Sequence, residues 1–319
     1  MMSSDWRSPD GTKAAYALTT KYPQVFSAIA EIDALGHRLL KRVADILPPD
    51  RIETLVAAAL LRRLVTQYVG IRHLLEASAV EQTKPLLRAQ WETLLAIKAL
   101  LKDEETGQTA TADIRESRAR FYYVAAERQA AYAHKALIDG ASGETVRSES
   151  AAAAIRADLD SIIARLSKSF PTEMEAFGPL RYQDSQRKPL YYDHFEWYTL
   201  ARPVGKPASL RALAESLRAG WEYHTMYAAL SGSAHARGIT RDVRVVPPGQ
   251  LEIFHPYMSD AFELVAHWSS MWQLDGLLAF ADAFHRDSKA DAEAVYRKII
   301  KTLDALSNEL PVGFFDEGA

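Results

Sequence analysis

Four polar side chains near residues 224–235 have the types and spacing that could do chemistry. At about 100° per residue of an α-helix they line one face of the run WEYHTMYAALSGSAHA: His224, Tyr227, Ser231 and His235. A histidine there can act as general base or acid, and a hydroxyl can orient it or contact a substrate. The structural alternative is a buried network whose members satisfy one another. His235 and His224 are the catalytic candidates, and both explanations stay open.

A charged pair lies in the apolar run LLRAQWETLLAIKALL, where Arg88 and Glu92 are four residues apart. Arg before Glu is the weaker order for an exposed helical pair, which favours contacts to another helix. We predict that Arg88 binds an anionic ligand while Glu92 orients His235. The alternative is that the pair fixes helix register at a cost in desolvation.

Basic residues follow the Ser and His helix directly, in the run ARGITRDVR. Arg237 would therefore meet an anionic ligand or RNA that approaches His235. A solvated basic loop explains the same run equally well. We predict Arg237, together with Tyr227 and Ser231, as ligand-binding residues.

Composition limits the class of protein. The 319 residues are 48% hydrophobic and 25% charged, as in an ordinary globular chain, and Gly and Pro are scarce enough to favour helix. The net charge of −3 differs from the strongly positive charge that is typical of a dedicated nucleic-acid-binding protein. The absence of cysteine excludes thiolate nucleophiles and Cys-based zinc sites and fits a reducing, cytoplasmic location. We expect neither a signal peptide nor contact with a membrane.

Hydrophobic periodicity predicts an all-α fold, a multi-helix bundle with a small β-hairpin insertion near residues 243–254. We expect a polar N-terminal arm at 1–22, one helical bundle domain at 23–310 with a long loop at 171–207, and a C-terminal tail at 311–319. The predicted helices cover about 23–47, 50–78, 83–102, 113–138, 149–168, 209–220, 221–236, 256–286 and 289–310.

Three runs resemble a bacterial family catalogued as domain of unknown function 5677: LLRRLVTQYVGIRHLLEAS, LLRAQWETLLAIKALL and EYHTMYAALSGSAHA. Its members combine an Arg-x-x-x-Glu helix with a late Tyr-x-x-x-Ser-x-x-x-His helix. The matching positions here are Arg88, Glu92, Tyr227, Ser231 and His235. The resemblance covers about residues 51–238 and implies a bacterial protein of unestablished function, with a stress or defence setting as an expectation from the family alone.

The enzymatic alternative is a metal-independent ribonuclease resembling the HEPN class, in which four to six residues separate an Arg from the His that follows it. Three pairs have this spacing, and about two are expected by chance: Arg128 with His134, Arg187 with His194, and Arg218 with His224. His235 or His224 would be the general base, and Arg88 or Arg237 would stabilise the phosphorane charge.

Metal and cofactor chemistry lacks a matching pattern. The sequence contains no P-loop, GxGxxG, GxSxG or HExxH motif. The pair Glu252 and His255 lies in the predicted hairpin, away from the paired helices that a di-iron centre needs. We therefore expect no metal and no cofactor.

The leading interpretation is a binding or interaction protein for a small anionic ligand or a protein partner, with RNA as another candidate partner. The metal-independent ribonuclease and a purely structural network are the alternatives, so enzymatic activity is left open. The apolar stretch Trp268–Leu278 is explained by core packing first and by a homodimer second.

Overall fold

A computed structural model describes the chain over residues 18–46, 51–139, 148–178, 197–198, 200–201, 209–227, 230, 243–246, 250–253 and 262–307. Its helices are α1 (Pro23–Ile46), α2 (Ile52–Glu76), α3 (Val80–Leu101), α4 (Ala112–Asp139), α5 (Glu149–Ser169), α6 (Pro171–Phe177), α7 (Leu210–Ser216), α8 (Gly220–Glu222), α9 (Phe262–Phe284) and α10 (Arg286–Ser307). A π-helical turn, Tyr223–Tyr227, follows α8 directly.

Helices dominate the described residues, which confirms the predicted all-α class and helical bundle. Two short segments, β1 (Val243–Val246) and β2 (Gln250–Ile253), pair antiparallel with Val243 opposite Ile253. The residues between them, 247–249, and residue 254 lie outside the described part of the chain. A packed β-hairpin insertion at 243–254 therefore stays a prediction.

Contacts between residues group the chain into two compact units. The first comprises residues 1–47, 58–109 and 217–319, and the second comprises residues 48–57 and 110–216. The predicted single domain at 23–310 and the tail at 311–319 stay predictions.

The first unit is organised around α9, a helix that is apolar on most of its faces. Leu274, Leu277 and Phe280 have no exposed surface, and α9 contacts α1, α3 and α10. A helix that is apolar all round is stable in water only when neighbours cover it. Trp272 is also buried, so core packing explains the apolar stretch that begins at Trp268. A homodimer stays a prediction.

Polar contacts set how α2 and α3 meet α9. On α3, the buried Gln90 donates from Nε2 to the backbone oxygen of Ser269 at 2.9 Å. On α2, the hydroxyl of Tyr68 lies 3.0 Å from Oγ of Ser270. Burial raises the pKa of Tyr68, so this hydroxyl stays neutral and can donate. Because unpaired buried groups are costly, these bonds favour one arrangement of the three helices.

The second unit contains α4, α5 and α6, which pack against one another. Arg120 on α4 donates two hydrogen bonds to the buried carboxylate of Glu173 on α6, at 2.6 and 3.1 Å. Arg128, also on α4, donates to the backbone oxygen of Gly178 at 2.9 Å and lies 5.2 Å from the ring centre of Phe177. These arginines tie α6 to α4.

Two predicted segments are wrong in part. Residues 18–21 are helical, and Leu18 and Tyr22 are buried, so packed structure begins before the end of the predicted arm at 1–22. Pro171–Phe177, inside the predicted loop at 171–207, is the helix α6. A proline in the first turn of a helix loses no hydrogen bond and is preset for helical φ, so Pro171 begins this helix. Residues 179–196 and 202–208 lie outside the described part of the chain.

The predicted helix at 209–220 ends early, at Ser216. Arg218 follows with φ at 59°, in the left-handed region that a non-glycine residue seldom adopts. The chain then begins helix again at Gly220. The predicted helical break near Gly220 is confirmed, but it begins before that glycine.

One helix among the described residues, α2, is long and apolar enough to cross a membrane by length and composition. Leu61, Leu64 and Ile71 on this helix are fully buried, as in the core helix of a soluble protein. The cytoplasmic location stays a prediction.

Gly276 on α9 provides a first test of the packing. An added Cβ would overlap Cδ2 of Leu64, a fully buried side chain of α2, so Gly276→Ala forces a shift in the core. We expect the overpacking, which costs about 1–3 kcal/mol, to exceed the gain of about 1 kcal/mol in helix propensity, so the free energy of unfolding measured by chemical denaturation should fall.

Gly70→Ala is the matched control, because its Cβ would contact only Cδ1 of the half-buried Leu86, at 3.1 Å. Helix propensity favours that change by about 1 kcal/mol, which should offset the cost of this close contact. The net effect on the free energy of unfolding should therefore be near neutral. The loss at Gly276→Ala should shrink in a Leu64→Val background, which lacks the overlapping atom. A loss of the same size in that background would contradict the packing.

His285 provides a second test, at the junction between α9 and α10. Its ring is buried, and Nε2 has no hydrogen-bond partner among the described residues. Burial and the positive charge of Arg42 lower the pKa of His285, and the Asp287 carboxylate opposes this only in part. The folded protein therefore holds His285 neutral below the pH at which the unfolded chain takes up a proton.

We expect the free energy of unfolding to fall as the pH drops from 6.5, the ordinary pKa of histidine, towards the lower pKa of folded His285. His285→Gln should reduce this slope in urea unfolding between about pH 7 and about pH 5. Equal slopes in the wild type and His285→Gln would refute the assignment.

Candidate functional site

Arg88 of α3 meets the π turn through Tyr227. Its Nε donates to Oε1 of Glu92 at 3.1 Å, and one terminal nitrogen donates to the Tyr227 hydroxyl at 2.8 Å. The guanidinium carbon also lies 4.8 Å from the centre of the Tyr227 ring. These contacts place three of the predicted residues together within the first unit.

The guanidinium is positioned without being removed from water. The Arg88 side chain is 22% exposed and that of Glu92 is 28% exposed. Burial disfavours the charged form of Arg88, but attraction to Tyr227 and Glu92 and hydrogen bonds to both outweigh it and raise its pKa. Arg88 therefore presents a permanent positive charge at the edge of a packed region.

Aromatic rings form the floor of this contact. Trp91, which is 1% exposed, lies 5.0 Å from the ring of Tyr227 and 6.1 Å from that of Tyr223. Tyr223 and Tyr227 stack at 5.2 Å with 19° between their planes. A guanidinium held against a ring loses little further freedom when it binds a ligand, since its orientation is already set.

The rings continue towards the surface through α9 and α8. Trp91 lies 6.5 Å from Trp272, Trp272 lies 5.7 Å from Trp268, and Trp268 lies 5.4 Å from Trp221. We call the whole set the aromatic cluster: Trp91, Trp221, Tyr223, Tyr227, Trp268 and Trp272. It connects the buried Trp91 on α3 with Trp221, which is 55% exposed.

The π turn changes the predicted face of this helix. In a π turn each hydrogen bond spans five residues, so angular offsets differ from those of an α-helix. The α-helical conformation predicted for Tyr223–Tyr227 is therefore wrong, although the segment is helical. Tyr227 meets Arg88, whereas His224 is exposed and lies with its ring edge-on to Tyr223 at 5.5 Å.

The remaining predicted site residues are Ser231, His235 and Arg237, and all three lie outside the described residues. Their roles, the orientation of His235 by Glu92 included, stay predictions. The structure brings together Arg88, Glu92 and Tyr227.

The aromatic cluster is what sequence reasoning missed. The sequence contained two features that indicate this cluster, namely two pairs of aromatic residues spaced four apart: Tyr223 with Tyr227, and Trp268 with Trp272. Each pair alone is typical of ordinary core packing. Their convergence on Trp91 depends on how α3, α9 and the π turn meet, which no local spacing predicts.

The ribonuclease-like spacings have structural explanations where they are described. Arg128 is 1% exposed and bonds the backbone of Gly178, while His134 pairs with Asp158 at 3.2 Å. Arg218 lies within the helix break between Ser216 and Gly220, and His224 lies beyond it in the π turn. The third pair, Arg187 with His194, and the proposed base His235 lie outside the described residues, so the ribonuclease alternative stays a prediction.

Within the part of the chain that the structure describes, no group of three or more His, Asp or Glu side chains is placed to hold a metal ion. The expectation of no metal and no cofactor stays a prediction for the whole chain.

Residues 54–245 match a family described as being of unknown function, DUF5677, and the match covers more than half of the chain. The chain belongs to DUF5677. This confirms the family that the Arg-x-x-x-Glu and Tyr-x-x-x-Ser-x-x-x-His motifs indicated. No curated protein and no solved structure matches the chain.

The DUF5677 match contains both elements that build the site. Arg88, Glu92 and Trp91 on α3 and Tyr227 on the π turn all lie inside residues 54–245, whereas α9, with Trp268 and Trp272, lies outside. The DUF5677 region therefore supplies the charged part of the site, and the segment beyond it supplies part of the aromatic floor.

The bond between Arg88 and Tyr227 can be tested through stability. Tyr227→Phe removes the hydroxyl that accepts from Arg88, and we expect the free energy of unfolding to fall by about 1 kcal/mol. Tyr223→Phe is the matched control, because this stacked neighbour makes no hydroxyl hydrogen bond among the described residues. Equal losses in the two variants, measured by urea unfolding, would show that the bond contributes nothing.

Proposed function

We propose that this DUF5677 protein is a binding module whose ligand presents a phosphate or carboxylate group to Arg88. The observation that carries the proposal is a partly exposed guanidinium held on two sides, by Glu92 and by Tyr227. The planar guanidinium fork suits the two oxygens of such a group. Arg88 receives the anion, and Glu92 and Tyr227 set the direction of the guanidinium.

Preorganisation supports binding over a purely structural ion pair. An exposed Arg and Glu pair contributes little to stability, about 0–1 kcal/mol. The extra contact with an aromatic ring lowers the entropy that the arginine side chain would lose on binding. Burial of the cluster also lowers the local dielectric, which strengthens the attraction between Arg88 and an anion.

The chain contains a matched arginine for comparison. Arg72 on α2 also bonds a glutamate four residues later, Glu76, at 2.8 Å, and is 29% exposed. It faces a second carboxylate, that of Asp33, at 2.6 Å. An anion that approaches Arg72 meets two negative groups, so the same residue type at a similar exposure is a poor anion site there.

The test measures thermal unfolding while sodium phosphate or sodium pyrophosphate is titrated at constant ionic strength. Specific binding raises the midpoint by linkage, and the rise grows with the logarithm of the ligand concentration once this exceeds Kd, whereas screening does not vary at fixed ionic strength. We expect the rise in the wild type and in Arg72→Gln, and its loss in Arg88→Gln. A rise that survives in Arg88→Gln, or no rise in the wild type, would refute the proposal.

The bacterial origin, the cytoplasmic location and a stress or defence setting stay predictions from the resemblance and the composition. Protein partners and RNA stay predictions as well.

A further inference from the structure

A second cation lies on the same face of α3 as Arg88. Lys84 comes four residues before Arg88, and the helix Val80–Leu101 is continuous through both positions. Four α-helical residues advance the chain by about 6 Å and turn it by about 40° beyond a full circle. Lys84 and Arg88 are therefore neighbours on one face of the helix, one turn apart.

The two cations are exposed to the same extent. The side chain of Lys84 is 22% exposed, as is that of Arg88, while Thr83 and Leu87 beside them have no exposed surface. Long basic side chains cover apolar surface with their stems and keep the charged end in water. An anion in solution can therefore approach both charged groups over one face of α3.

The order of charges along this face places the two cations between two carboxylates. Lys84 pairs with Glu81 at 2.5 Å, and Arg88 pairs with Glu92 at 3.1 Å. Both carboxylates belong to the outer ends of the set, and the residues between the cations, 85–87, are Pro, Leu and Leu. Like charges one turn apart on a helix repel each other. An anion bound between Lys84 and Arg88 offsets this repulsion, because it attracts both.

We propose that Lys84 and Arg88 together bind a diphosphate group. This inference rests on the proposed function, because it names the class of ligand for the same site. Lys84 supplies the second positive charge of that site.

Two linked phosphates suit two cations one turn apart better than one anionic group does. A carboxylate or a single phosphate carries its charge on one centre, so a close contact with Arg88 leaves less charge for Lys84. A diphosphate spreads its charge over two centres joined by one oxygen, and each centre can bind one cation. The guanidinium fork suits two oxygens of one phosphate, and the lysine ammonium group binds the other as a point charge.

Lys98 provides a matched control on the same helix. Its side chain is 21% exposed and pairs with one carboxylate, that of Asp275 on α9. Ten residues of helix place Lys98 about 15 Å along the axis from Arg88 and about 80° around it. Lys98→Gln therefore removes a lysine of similar exposure and pairing from outside the proposed site.

The experiment measures the binding of phosphate and of pyrophosphate by isothermal titration calorimetry at constant ionic strength. A second charge-assisted contact should make pyrophosphate bind at least about tenfold tighter than phosphate. We expect Lys84→Gln to remove most of this advantage and to change the affinity for phosphate little. Lys84→Arg, which keeps the positive charge, should keep most of the advantage, and Lys98→Gln should keep all of it.

Folding of the variants is checked by their thermal midpoints. Midpoints close to that of the wild type are expected, because a partly exposed ion pair contributes little to stability. Lys84→Met is a second variant that keeps the apolar stem of the side chain, and it should lose the same advantage as Lys84→Gln.

The outcomes separate this inference from the proposed function. If Arg88→Gln abolishes the binding of both probes but Lys84→Gln keeps the advantage of pyrophosphate, the diphosphate inference is overturned and the anion site stands. Equal losses in Lys84→Gln and Lys98→Gln also overturn the inference, because such a loss follows the net charge of the protein. If neither phosphate nor pyrophosphate binds the wild type, both proposals fail.

Discussion

The constraint on which the first unit depends is the burial of α9. This helix is apolar on most of its faces, so it is stable only when neighbouring helices cover it. α1, α3 and α10 contact it, and α2 reaches it at Gly276, where only the absence of a Cβ allows Leu64 to come so close. Once these helices are in place, α3 has one orientation available, and Trp91 and Arg88 take their positions from it.

The site is the edge of that core. Trp91 is buried against Trp272 of α9, and Tyr223 and Tyr227 extend the same aromatic packing outwards. Arg88 lies at the boundary between the packed core and the solvent. Its charge is kept because it is partly solvated and paired, whereas a fully buried guanidinium would need all of its donors satisfied by the protein.

The two units use arginine differently. In the second unit, two arginines of α4 stabilise the packing of the helices. Arg120 donates hydrogen bonds to the buried carboxylate of Glu173, and Arg128 donates to the backbone oxygen of Gly178. In the first unit, Arg88 is placed by Glu92 and an aromatic ring and remains 22% exposed. An arginine with solvent access and a set direction is suited to an incoming anion, while a buried arginine is suited to holding helices together.

Local physical chemistry made much of this protein predictable from its sequence. Periodicity located the long helices, because apolar residues at helical spacing need a buried face wherever the helix lies. The spacing of Arg88 and Glu92 likewise indicated an ion pair, since residues four apart on a helix are neighbours. The order of the two residues correctly favoured a contact to another helix, although the partner, Tyr227, could not be assigned to Arg88 from spacing.

Only the tertiary structure decided the rest, because it depends on groups far apart in the chain. The helix break after Ser216 and the π turn at Tyr223–Tyr227 run against the α-helical pattern of their own residues. The π turn packs on α3 through Tyr223, and Trp221 packs on α9 through Trp268. The same packing joined Trp91, Trp272 and Trp221 in one aromatic cluster, while His224 is exposed. Sequence determined which faces must be buried and which pairs are neighbours on one helix; which helices meet, and therefore which side chains share a site, was decided by the packing around α9.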